Sequence, residues 1–491
     1  MKTNLHSVFS DKISGEWGDD DPMGEGVSII RTANFNNDGS IDFSTLVTRL
    51  VQKDAKDDKG KIIKFADGTS KKEVDSKKIE NKKLLNEDII IEKSGGGIGT
   101  PVGRVAFFKN PDDKIYLSNN FTQTLRVNKS IAAPKYIFYY LKYLYKRGNV
   151  LKYQNQTTGL FNLKIEKYFQ EEIFLPEHSK QYAIVTQLDT IRELINKRIE
   201  TIELLNKLME SIYFEMFGDP IVNPHHHPRV KLSSKKFKIT SGITPSRKKD
   251  VYFEGEIPWV KSTDINKEII YSTEEKISQV ALEKTTAKIY PKGSVLLAMY
   301  GQGSTRGKVA LLGVEASANQ ACAVINGIGY SNTFLFFTLK CSYQYLRSIS
   351  KGGNRDNLSL TEIKKISIIS PPLKSQNEFE NKFNYLQGLK KSLELSLDTL
   401  QNLFQAVLQN AFNSDAEVDE QSIFKDLIKR LEVADLRGNV KRLQYLLELF
   451  DGNKFDNDDD YFETKNKLFD LILENEIEQK LVNDKIILQV K

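Results

Sequence analysis

The chain repeats itself, and the repeat limits how it can fold. Leu175-Pro176 runs through Gln181 into a long helical segment, and Ser370-Pro371 runs through Gln376 into another, 195 residues later. Asn162-Leu163 and Asn357-Leu358 match at the same offset. Both segments follow a 3-4 heptad spacing. The first seam is Ile184, Leu188, Ile191, Ile195, Arg198, Ile202, Leu205, Met209, Ile212 and Met216. The second is Phe379, Phe383, Leu386, Lys390, Leu393, Leu397, Leu400, Phe404, Val407 and Ala411. Each has one basic interruption, and neither the run from Tyr182 to Phe217 nor that from Asn377 to Phe412 contains proline. From Ile184 to Met216 such a helix is ~48 Å long at ~1.5 Å per residue. It cannot bury its stripe against itself, and its duplicate is the natural partner.

Each long segment follows a large mixed region, roughly 1–175 and 219–370. The long segments occupy 176–218 and 371–412, and residues 413–491 follow. Gly218-Asp219-Pro220 between the halves is a helix stop and turn. His225, His226 and His227 sit in this connector; adjacent histidines diverge, so the run reads as a solvated loop with no metal.

The mixed regions correspond as well. Ser14-Gly15 opens the first and Ser241-Gly242 the second. Ile30-Arg31-Thr32-Ala33-Asn34 then answers Val260-Lys261-Ser262-Thr263-Asp264. The strand-like run Asp88-Ile89-Ile90-Ile91 leads into SGGGIGTPVGRVAFF, and Val295-Leu296-Leu297 leads into YGQGSTRGKVALL. Gly103-Arg104-Val105-Ala106 aligns with Gly307-Lys308-Val309-Ala310. Each is a strand, a glycine-rich loop with a basic end, and a second strand. Asn119-Asn120 and Asn319-Gln320 follow.

Two nucleotide-binding readings of these loops fail. A P-loop needs Gly-x-x-x-x-Gly-Lys-Ser/Thr, but Gln302 precedes Gly307 by five and Val309 follows Lys308. A dinucleotide fingerprint fails because Ser304, Thr305 and Arg306 follow Gly301-Gln302-Gly303. The glycines read as tight turns, while Thr305, Arg306 and Lys308 are candidate contacts, since arginine grips phosphate or guanine in two-pronged fashion. A second polar, amide-rich stretch precedes each long helix, at 153–159 and 351–357. Amides read adenine edges and also make turns, and both readings stand.

Charge points the same way. Residues 416–491 hold 12 Lys/Arg against 18 Asp/Glu, so the overall +6 hides a body of +12. A basic body suits a polyanion, because phosphate contacts release counterions. No apolar run is long enough for a membrane span, and the start lacks a signal-peptide stretch. Cys322 and Cys341 form no metal or disulfide framework, which reads as reduced thiols in a cytoplasmic protein.

Taken together, SGITPSRKKDVYFEGEIPWVKSTDI, AMYGQGSTRGKVALL, NQACAVI and SLTEIKKISIISPPLKSQNEF resemble a target recognition domain of Type I restriction–modification specificity subunits. SGEWGDDDP, IIRTANF and IFLPEHSKQ look like a divergent copy, and the resemblance covers about 10–412. It implies a mixed α/β (α+β) architecture, pseudo-two-fold symmetric. Two recognition domains are joined by two long antiparallel coiled-coil helices, with a C-terminal helical extension added. It implies double-stranded DNA as ligand, each domain reading half of a split target. The chain is then no enzyme and binds no cofactor. Its partners are two modification subunits, which hold S-adenosylmethionine and methylate adenine, and motor-nuclease subunits that can join. The candidate DNA contacts are Arg31, Asn34, Lys93, Arg104, Asn120, Gln156 and Thr157 in the first domain. In the second they are Ser246, Arg247, Lys261, Gln302, Thr305, Arg306, Lys308, Asn319, Gln320, Asn354 and Arg355.

The alternative is a fused methyltransferase with its own activity. It needs an Asn/Asp-Pro-Pro-Tyr/Phe motif, and Ser370-Pro371-Pro372-Leu373 is not one. Pro111-Asp112-Asp113-Lys114 lacks nuclease acid spacing and reads as a turn. The family pattern ends near Phe412. Beyond it the segments FKDLIKRL, VKRLQYLLELF and KNKLFDLILENEIEQKLV read as helices. Asp451–Asp460 lacks the glycine of a calcium loop. This acidic, apolar extension is expected to avoid DNA, either capping the coiled coil or docking a partner subunit.

Overall fold

A computed structural model of the chain describes residues 2–96, 101–157, 160–301, 304–349, 357–412, 436, 443–444, 446–447, 458–474, 476–482 and 485–490. It falls into two compact units, Met1–Asn196 with Asp398–Lys491, and Lys197–Leu397. Each unit holds one mixed domain and a part of both long helices, His178–Phe217 and Leu373–Phe412.

In the first unit, strands Val105–Phe107, Ile89–Glu92, Thr122–Val127 and Phe9–Ser14 form an antiparallel sheet in that order. The run Ile89-Ile90-Ile91 shows no polar alternation because both faces of its strand are covered. Ile89 and Ile91 join the cluster of helix Pro134–Lys146 and the long helices. Ile90 faces the other way, with Ile30, Phe35, Ala106 and Phe108. In the second unit the matching strands are Val309–Leu312, Val295–Ala298, Cys322–Gly327 and Phe237–Ser241, with Ile269–Ile270 added at the edge. Val295 and Leu297 point to helix Asn332–Cys341, while Leu296 and Ala298 point to Val260, Ile265 and Ala310.

The repeat extends to single hydrogen bonds. Gly15 N donates to Thr122 O and Gly242 N to Cys322 O. A Cβ on either glycine would collide with backbone, 1.8 Å from Asn119 O or 2.2 Å from Ala318 O, so both sites exclude side chains. Leu163 N donates to Lys93 O, and Leu358 N to Met299 O. The two glutamines of the repeated entry motif do identical work. Buried Gln181 accepts from Ala133 N (2.8 Å) and donates to Pro176 O (2.9 Å). Buried Gln376 accepts from Ser331 N (3.0 Å) and donates to Pro371 O (2.8 Å).

The helices run antiparallel. In the second unit Lys390 reaches Asn206 (2.8 Å), Gln387 lies at Met209, and Phe379 packs on Tyr213 and Phe217. One residue number rises as the other falls. In the first unit Ile184, Leu188 and Ile191 share a cluster with Leu400, Val407 and Ala411, and Arg192 stacks on Phe404. The expected seams are followed except toward the helix ends: the second helix also buries Leu403 and Leu408, and at the end of the first the fully buried residues are Met209, Tyr213 and Phe217. Phe334 and Phe337 of the neighbouring short helix draw these rings inward.

The extension corrects one expectation. Its last helix, Asp458–Leu473, does not continue through the run EIEQKLV. Ile477–Val482 is instead a strand paired antiparallel with Lys485–Val490. The β-branched residues Ile477, Val482, Ile486, Ile487 and Val490 favour that state. Leu436, Leu443, Leu446, Leu468, Leu471 and Ile477 belong to the same apolar cluster as the helix residues Leu403 and Val407. Asp458, Asp459 and Asp460 are helical, and 451–457 lie outside the described residues.

Candidate nucleic-acid interface

In each domain several of the candidate residues lie on or beside the turn that follows one strand, Val27–Ile30 or Ile257–Val260. In the first, the turn after strand Val27–Ile30 carries Arg31 to Asn34. Asn34 is fully buried; its Oδ1 accepts from Arg31 N (2.9 Å) and its Nδ2 donates to Thr45 Oγ1 (3.0 Å). Both ends of the amide are occupied, so Asn34, expected as a DNA contact, is instead a buried cap that shapes the turn. Asp264 does the same for Lys261 N at 2.8 Å. Arg31 is half-buried and donates to Thr45 O.

Arg104 and Lys308 occupy the same place with different surroundings. Glu92 N donates to Arg104 O and Ala298 N to Lys308 O, so the backbones match. The side chain of Glu92, nearly buried, holds Arg104 through Nε (3.1 Å) and Nη2 (3.2 Å). Arg104 Nη2 also reaches Thr32 O, tying this loop to the Arg31 turn. Glu92 raises the guanidinium pKa. Lys308 faces Ala298 where Arg104 faces Glu92, and it has no carboxylate partner among the described residues. Arg306 is buried, which corrects the expectation of an open contact there. Gly307, at φ +83°, turns the chain so that Lys308 is half-exposed. Thr305 is half-exposed as well.

Lys93 lies half-buried beside Lys82, and burial followed by that neighbouring charge lowers its pKa. Lys82 and Lys78 clasp Glu16 at 2.9 and 3.2 Å. No pattern links Lys78 and Lys82 to Glu16 in the sequence; the fold joins them. In the second domain Arg247 lies over Phe253 (4.4 Å) and Trp259 (5.0 Å) and pairs with Glu275. Glu275 also meets Lys261 (2.9 Å), which reaches Glu274 (3.0 Å). The first domain answers with Arg49 over Trp17 at 4.3 Å, a stack the sequence did not reveal. Asn319 lies beside this turn through its N donating to Val260 O, as Asn119 N donates to Ile30 O. Asn120, Gln320 and Ser246 are exposed. Gln156 and Thr157 fall on strand Gln154–Thr157, paired with Leu160–Leu163. Gln302, Asn354 and Arg355 lie outside the described residues.

Among the described residues no three His, Cys, Asp or Glu side chains come together as metal ligands, and no helix is long and apolar enough to cross a membrane. Cys322 and Cys341 are free thiols.

Two matched domains, each with basic and amide side chains beside a corresponding turn, define an internally duplicated protein. The model of the Type I restriction modification DNA specificity domain matches residues 42–204 and 237–394, more than half of the chain, and the chain belongs to that family. It is similar to the Type I restriction enzyme MjaIX specificity subunit of Methanocaldococcus jannaschii, 26% identical over 234 residues, 46% of this chain and 53% of the relative. It is also similar to the StySPI specificity subunit of Salmonella potsdam, 22% identical over 370 residues, 71% of this chain and 79% of that one. The chain thus spans about half of the first relative's length and four fifths of the second's. The fold resembles that of the S subunit of a Type-I restriction-modification system from M. genitalium, with TM-score 0.51 and 15% identity, covering 84% of this chain and 96% of that one.

Proposed function

We propose that this chain is the sequence-reading subunit of a Type I restriction–modification assembly. Each mixed domain reads one half of a split double-stranded DNA target. The chain does no chemistry; two adenine methyltransferase subunits dock on it and bring S-adenosylmethionine, and motor-nuclease subunits join them. The observation that carries this reading is the duplicated loop cluster, with Arg31 and Asn120 in one domain answered by Lys261 and Gln320 in the other, and Lys308 beside them in the second. Two half-sites need two readers of like construction, since bases are specified by side chains in the groove and register is set by phosphate contacts.

Exchanging residues 1–175 for those of another family member tests the reading. The methylated motif in a host expressing the chain with its modification partner should change in one half only. A change in both halves, or methyl transfer by the purified chain alone, would overturn it.

A further inference from the structure

The two domains differ in one large feature. In the second, strand Lys276–Ile277 passes through Ser278 straight into helix Gln279–Lys284, with Ser278 Oγ accepting from Ala281 N. In the first, the equivalent strand Val47–Leu50 and helix Ser76–Lys82 are separated by an inserted arm. The arm is pinched at its base, where Asp75 N donates to Val51 O (2.8 Å), and Asp75 caps the helix at Lys78 N as Ser278 does in the other domain. Strands Gln52–Asp54 and Lys72–Val74 form its stem. A third extended stretch lies between them: Ile63 N donates to Ala55 O, Lys71 N to Ile63 O, and Ala55 N to Lys71 O. Two tight turns, closed by Gly60 N to Asp57 O and Gly68 N to Phe65 O, complete it. Every residue from 56 to 69 is exposed, and a Cβ on Gly60 or Gly68 would meet nothing within 4 Å. So ordered a segment, standing clear of its own domain, is built to touch something else.

Its charge says what. Residues 52–74 hold 7 lysines against 5 carboxylates. Four of the arm's five carboxylates are spent within it. Asp54 pairs with Lys72 and Glu73 with Lys53 across the stem, Asp57 holds the first turn through Lys59 N and Lys61 N, and Asp67 holds the second through Thr69. Asp58 is the exception. Lys56, Lys59, Lys61, Lys64 and Lys71 are exposed and form no ion pair among the described residues. Ile62, Ile63 and Phe65 are exposed too, but Lys61 and Lys64 interrupt them, so they offer no continuous apolar patch for a protein partner to bury.

Strand Val47–Leu50 runs antiparallel to Val27–Ile30, with Arg49 opposite Val27. The arm therefore leaves the sheet at the end opposite the Arg31 turn. We propose that this arm grips the DNA phosphate backbone outside the half-site read by the first domain, with no counterpart on the second half-site. The proposal rests on the DNA-reading function above. It makes the grip on the target lopsided: the first domain's side holds extra backbone without reading further bases.

The test uses the full chain assembled with its modification subunits, one duplex carrying the methylated target and one non-target duplex of equal length. In one variant Lys56, Lys59, Lys61, Lys64 and Lys71 are all changed to Gln; in a second, residues 52–74 are replaced by Gly-Ser. If two of the five lysines sit on phosphates, the slope of log K against log salt falls by about 1.8 and affinity at ~0.15 M salt drops roughly 30-fold. The loss appears on both duplexes, the methylated motif stays the same, and hydroxyl-radical protection shortens on one flank only. Unchanged salt slope and footprint in both variants would overturn the proposal. So would loss of a modification subunit from the purified complex with the slope unchanged, which would make the arm a protein contact. Failure of the wild-type complex to prefer target over non-target duplex would sink the reading itself, while the slope on non-target duplex still judges the arm.

Discussion

Arg104 and Lys308 occupy one backbone position and have opposite expected roles. Glu92 holds Arg104, so Arg104→Ala leaves a nearly buried carboxylate without its partner. Thermal or urea unfolding should register a loss of about 2 kcal/mol. Lys308→Ala should leave stability within ~0.5 kcal/mol and instead reduce the salt slope of DNA binding by about 0.9. Equal effects of the two variants on the slope would show that Glu92 does not tie up Arg104. The sequence aligned these two residues correctly and could not separate them, because the difference lies in what faces each, Glu92 or Ala298, on a neighbouring strand. The same limit applies to Asn34 and Arg306. Residue type marked both as contacts, and burial decided otherwise.

At the scale of elements, charge fastens the second domain to the helices. Glu268 sits among Lys340 of helix Asn332–Cys341 (2.7 Å) and Lys390 of the second long helix (3.2 Å), with Gln387 at 3.3 Å. Lys340 also reaches Glu210 on the first long helix (3.1 Å). Burial pushes the Glu268 carboxyl up, but Lys340 and Lys390 outweigh it and hold it below its usual 4.5. A depressed folded pKa contributes stability above the unfolded value that is lost as pH falls through the folded one. Glu268→Gln should thus cost about 1–3 kcal/mol near neutral pH, and the gap to wild type should close as the pH drops below about 4.5. A gap that stays constant from pH 7 to 3.5 would mean that the loss does not come from the charge of the carboxylate. The long helices were legible because 3-4 spacing is a local pattern that survives without the rest of the fold. The Ile89-Ile90-Ile91 strand was legible for a like reason, as a short apolar run bounded by Asp88 and Glu92. The Glu268 cluster was not, since its members come from three elements with no common spacing. The terminal hairpin was missed because Ile477–Val482 fits a helical stripe about as well as a strand.

For the whole molecule, the extension is the part where sequence alone left two roles open. Its described leucines share a cluster with Leu403 and Val407, which favours a cap over a free docking arm. Deleting residues 416–491 should lower the melting temperature of the isolated chain by several degrees and promote aggregation, because the ends of both long helices lose apolar cover. A truncated chain that melts as before yet fails to retain a modification subunit would make the extension a dock.

The two buried glutamines carry a consequence for how such a gene can change. What Gln181 and Gln376 grasp is main chain: Ala133 N and Pro176 O, Ser331 N and Pro371 O. Each latch therefore asks nothing of the side chains in the domain it secures. A genetic crossover just upstream of Pro176 or Pro371 can bring in a foreign domain, and this latch will close on it wherever that domain offers a short helix start, while side-chain contacts such as Glu268–Lys390 and Lys135–Asp189 still depend on the incoming residues. Domains can then be exchanged by recombination without matching point mutations at the latch itself.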